Sequence, residues 1–108
     1  MPTPLQHFMI LLYERDLPTS ARSVSPTVLE AHFALRKHVA EIGGRIVGGH
    51  AMAAGVTIRN NEVSPGQDTP SLAGCYVVEA SDLDHAIWIG RMIPVVDGWV
   101  EVRPVLTA

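Results

Sequence analysis

Residues 81–105, SDLDHAIWIGRMIPVVDGWVEVRPV, constrain the fold of this chain more than any other stretch. Ser81 stands ahead of Asp82 and Asp84, so a side-chain cap and first-turn carboxylates both favour a helix beginning there. The spacing predicts that helix over 82–92, with Leu83, Ala86, Ile87 and Ile93 as its inner face, ended by Pro94. Residues 99–105 then alternate as a strand does, with Val100 and Val102 on one side and Trp99, Glu101 and Arg103 on the other. A strand that returns directly from a helix has to lie on a sheet which that helix covers.

A second unit of the same kind precedes it. HFMILLY, at 7–13, is a short continuous apolar run, consistent with a buried strand. Residues 14–24 read as a polar connector that Pro18 keeps from being helical. Ser25 and Pro26 then open a helix, and Val28, His32, Leu35, Val39 and Ile42 repeat at helical spacing along one face. Gly43-Gly44 ends it. Strands are expected over 45–51, 55–59 and 74–80, with 60–72 as a turn-rich loop. The order is strand, helix, three strands, helix, strand. If two of the middle strands pair as a hairpin, this is a split βαββαβ unit, an α+β, ferredoxin-like sandwich with both helices on one side of the sheet. The other sheet face then meets water or another subunit, and the aliphatic excess in the strands favours a homodimer.

Composition narrows the function. The chain has 108 residues, enough for a single domain over 1–108. Hydrophobic residues make up 47% and charged residues 18%, which argues against disorder. The net charge is −3 and Lys37 is the sole lysine, so no basic stripe supports nucleic-acid binding. The apolar run 8–13 is too short for a membrane span, and the lone Cys75 suits a reducing compartment. A cytoplasmic protein without membrane partners is expected. Five histidines with no short paired spacing give no metal-ligand pattern. RIVGGHAMAAG lacks the P-loop lysine and hydroxyl and has no helix after it, so no phosphate cofactor is expected.

HFMILLY, EAHFALRKHVAEIGGRIVGGHAM, AGCYVVEASDLDHAIWIGRMIP and WVEVRPV together resemble the YciI-like (YCII-related) family, in the branch called DGPF-domain proteins. The last two segments carry the most specific match, joining Gly74, Leu83, Ala86, Pro94, Glu101, Arg103 and Pro104 in order. The resemblance implies a dimeric α/β-barrel-like assembly, related to small lyase-like and dehalogenating enzymes acting on muconolactone-type compounds. It also implies a catalytic histidine early in the first helix, matched by His32, partnered by an aspartate after the second strand. That aspartate has no counterpart, and His50 stands near its place. The Asp-Gly-Pro-Phe tetrapeptide is missing as well. Asp68 is the one aspartate left near it, within NEVSPGQDTPSLAG.

The candidate residues each carry two readings. His32, inside the apolar stripe, is an acid–base group or a core histidine satisfied by a backbone carbonyl. His50, after Gly48-Gly49, lies where a backbone can approach a ligand, or is an ordinary strand end. Asp68 is a ligand-binding loop residue or a turn former. Arg103 binds a carboxylate or pairs with Glu101. His7, His38 and His85 read as surface residues, and Trp88 and Trp99 as dimer or core anchors. Two functions follow. One is a cofactor-independent lyase- or isomerase-type enzyme, with His32 and His50 acting on a small polar substrate. The other is a non-catalytic dimer that binds a small ligand or a protein.

Overall fold

The structure, a computed structural model, describes residues 4–17, 25–66 and 71–107. The first strand, β1 (Gln6–Glu14), forms from the apolar run and reaches one residue past it at each end. The first helix, α1 (Pro26–Glu41), starts where Ser25 and Pro26 place it, with proline in the first turn. It ends in a left-handed turn: Gly43 has φ +83°, and the N–H groups of Gly43 and Gly44 donate to the carbonyls of Ala40 and Val39. The strands β2 (Arg45–Ala51), β3 (Val56–Arg59), β4 (Glu62–Pro65) and β5 (Ser71–Ala80) follow. The chain closes with α2 (Leu83–Arg91) and β6 (Gly98–Pro104). Among the described residues no helix is long and apolar enough to cross a membrane.

The result is a small α+β protein. Four strands form an antiparallel sheet in the order β2-β5-β1-β6, and β3 and β4 form a separate two-stranded hairpin. This order is consistent with a ferredoxin-like arrangement. Both helices cover one face. Phe8, Ile10 and Leu12 of β1, Val78 and Ala80 of β5 and Ile46 of β2 meet Leu35 and Val39 of α1 and Ala86 and Ile89 of α2. Each large side chain buried there contributes about 1.5–3 kcal/mol relative to exposure. The described core contains no buried polar residue.

Several expectations need correction. Residues 60–72 are not all loop: Glu62–Pro65 pairs with Val56–Arg59 around Asn60 and Asn61, both left-handed at φ 51° and 67°. The partner of β2 is accordingly β5, and the hairpin is an insertion between them. On α2 the N-cap is Asp82, whose carboxylate accepts from the His85 backbone N–H at 2.8 Å. Its inner face is Ala86, Ile89 and Gly90, while Leu83 and Ile87 are exposed. His85 is no surface residue but a half-buried link: Nδ1 accepts from the Ser81 N–H at 2.9 Å, and Nε2 donates to the Ile42 carbonyl at 2.8 Å. With that backbone N–H fixing Nδ1 as an acceptor, the ring ties the end of α1 to the start of α2. Neither tryptophan is a core anchor, since Trp88 and Trp99 both stand exposed.

Candidate functional site

His32 reaches the sheet from the second turn of α1 and meets Tyr76 of β5. Tyr76 lies in the inward row of its strand, with Gly74, Val78 and Ala80. Its neighbour across the ladder is Gly49 of β2. A Cβ on Gly49 would lie 2.6–2.7 Å from the Tyr76 ring, so the ring occupies the place a side chain would take. The His32 Nδ1 and the Tyr76 hydroxyl are 2.6 Å apart, and the two rings stack with centroids 5.8 Å apart at 20°.

Burial holds His32 below the ordinary histidine value, opposed by the negative charge of Glu14. Burial raises the Tyr76 phenol, opposed by the charge of Arg36. Near neutral pH the pair is therefore a neutral imidazole beside a protonated phenol. Their shared contact has two forms. Either the phenol donates to Nδ1 and Nε2 carries the ring proton, or Nδ1–H donates to the phenol oxygen and Nε2 offers a lone pair. Only the second form can take up a proton at Nε2.

Two charged groups frame this pair. Arg36, one turn beyond His32, donates to the Ile46 carbonyl at 3.2 Å and ties α1 to β2. Glu14, at the end of β1, accepts from the backbone N–H groups of Val96 and Asp97 at 2.9–3.1 Å, so its carboxylate is held by the turn that leads into β6. The acid expected after β2 is absent from the sequence, and the acid whose charge acts on His32 comes from β1 instead.

The other candidates lie elsewhere. The ladder shifts between Ile46 and Gly48, which leaves Val47 as an extra residue. That one-residue slip exchanges the faces of everything after it, so Gly49 takes the helix side and His50 the open side. His50 is exposed there, directly across from Cys75, with the sheet between it and His32. Arg103 is on the open face too, and its Nε donates to Glu101 at 2.6 Å, which favours the structural pairing. Asp68 falls outside the described residues. Cys75 is a free, half-buried thiol. Among the described residues no three His, Cys, Asp or Glu side chains cluster as metal ligands would.

Sequence reasoning missed Tyr76 and Glu14. The available signal for Tyr76 was a phenol within an inward row of Gly74, Val78 and Ala80. Nothing local relates Glu14 to His32, because their proximity depends on how α1 crosses the sheet. No protein-family model matches this chain, and no curated protein matches it either.

Proposed function

We propose that this chain is a YciI-like protein of ferredoxin-like topology, a cytoplasmic homodimer that catalyses proton transfer on a small polar organic substrate. The single observation that carries the reading is the 2.6 Å contact between His32 and Tyr76 at the seam of α1 and the sheet. A neutral imidazole suits a general base, because it accepts a proton at Nε2 without first losing one. In a lyase- or isomerase-type step, His32 removes a proton from carbon beside a carbonyl and returns it to a neighbouring atom. Tyr76 keeps the ring oriented, and Glu14 stabilises the transient imidazolium. His50 takes no part, since it lies on the other face of the sheet.

The test is an NMR titration of the five imidazoles with a panel of small carboxylates and lactones. The His32 resonances are expected to titrate below the ordinary ~6.5 and to move on ligand addition. Tyr76→Phe should keep the fold and lose the ligand response. A His32 signal that no member of the panel moves overturns the catalytic reading.

A second reading, a dimeric binding module, draws on the surface shape. Two open depressions lie elsewhere. One is on the β3–β4 hairpin around Arg59, Glu62 and Ser64, and the other is beside His85, Asp82 and Trp88. Ligands whose signals gather at either depression, with His32 silent, favour that reading.

A further inference from the structure

The β3–β4 hairpin is an amphipathic ribbon. Its register pairs Val56 with Pro65 and Ile58 with Val63 on one face, and Thr57 with Ser64 and Arg59 with Glu62 on the other. The apolar face is uncovered: Val56 and Ile58 are each 67% exposed and Val63 is 66% exposed. The hairpin strands pack on each other and on no other element to a comparable extent. A lone two-stranded hairpin is marginally stable in water. The same chain carries a second uncovered apolar surface, the sheet face away from the helices, where Met9, Leu11, Tyr13, Val77 and Trp99 stand.

We propose that the hairpin is an arm that lays its apolar face on the open sheet face of a second copy of this chain. This rests on the homodimer proposed above and assigns the element that forms it. Area supports the choice of occupant. The three aliphatic side chains of the hairpin offer roughly 200 Å², Trp99 about 100 Å², and the other four sheet residues a similar amount. The apolar part of a standard interface is about 450 Å² per partner. Neither surface approaches that figure alone, whereas a two-fold pair that exchanges arms engages both in each copy. The charges flanking the apolar stripe do not obstruct docking, because Arg45 pairs with Glu79 and Arg103 with Glu101 within one chain. The stripe thus has a polar rim with its ion pairs already made, the usual arrangement at an interface.

Sedimentation velocity over a concentration series tests the arm, with amide hydrogen exchange read in parallel. The wild-type chain is expected to sediment as a dimer, with hairpin amides protected more strongly as concentration rises. Ile58→Glu and Val63→Glu should each weaken the dimer by about tenfold or more with unchanged far-UV circular dichroism. Thr57→Glu, on the polar face, should not. A wild-type chain that stays monomeric at about 0.1 mM overturns both the dimer and the arm, and leaves the hairpin face to a different partner or to water. A dimer that survives both Glu variants at unchanged affinity overturns the arm alone.

Discussion

Alternate residues of the same strands build two unlike surfaces. On the covered side of β1, Phe8, Ile10 and Leu12 are buried under α1 and α2, in a core that holds no buried polar residue among the described residues. On the open side Met9, Leu11 and Tyr13 are just as apolar but only half-buried. The rim of that side is polar, with His7 beside Glu79, which pairs with Arg45, at one end and Glu101 with Arg103 on β6. A sheet that faced water on one side would alternate apolar with polar residues. A run apolar on both faces belongs to a strand covered on both. Intrachain packing accounts for one half of that apolar run, and the other half is the face that the proposed arm would cover.

Substitutions at neighbouring positions measure this difference directly. Phe8→Ala should cost about 3–5 kcal/mol, because the cavity opens in a core that closes poorly around it. Met9→Ala, one residue along, should cost under about 1 kcal/mol in the monomer, since water already reaches that side chain. Chemical denaturation of the two variants gives both values, and equal losses would mean that the faces are not distinct in the monomer.

Gly49→Ala should come next, at about 1–3 kcal/mol, because the new methyl overlaps the Tyr76 ring. The accompanying signature is local: the His32 and Tyr76 resonances shift together while those of Met9 and Leu11 stay in place.

The smallest effect is a pH slope. Burial depresses the folded-state pKa of His32, so its neutral form is the one the fold accommodates. Above the unfolded value of ~6.5 this group puts no pH dependence into stability. As pH falls below that point the unfolded chain takes the proton first, and stability declines until the folded pKa is passed. His32→Gln should flatten that decline in unfolding midpoints measured from about pH 8 to about pH 5. An equally steep decline in the variant would place the titration elsewhere.

Much of the framework was readable along the chain because its signals are local. Ser25-Pro26 and Gly43 bound α1, and the alternation of Val100 and Val102 with Trp99, Glu101 and Arg103 gave the faces of β6 correctly. The start of α2 moved by one residue because Ser81 and Asp82 are both capping types, and the Ser81 N–H is committed to the His85 ring. The second strand of the hairpin escaped notice for a different reason. Val63 faces no core in its own chain, so nothing beyond the Asn60-Asn61 turn marks Glu62–Pro65 as a strand, whereas 55–59 was expected as one. Of the candidate site, the sequence singled out His32 by its place in an apolar stripe together with the family resemblance, whereas the side on which His50 falls turns on the slip around Val47, which no periodicity encodes. Tyr76 and Glu14 join His32 only through the crossing of α1 over the sheet.

The strand order also bears on how this protein is made. β1 lies between β5 and β6, and the bonds from Glu14 to Val96 and Asp97 join residues 82 and 83 apart in the chain. β1 leaves the ribosome ahead of β5 and β6, so it finds no neighbour in the sheet until β5 has been synthesised and gains its second only with β6. Pairing over such separations is slow, and an unpaired apolar strand invites aggregation meanwhile. The segment that ends at the centre of the finished sheet is therefore the one most in need of protection during synthesis.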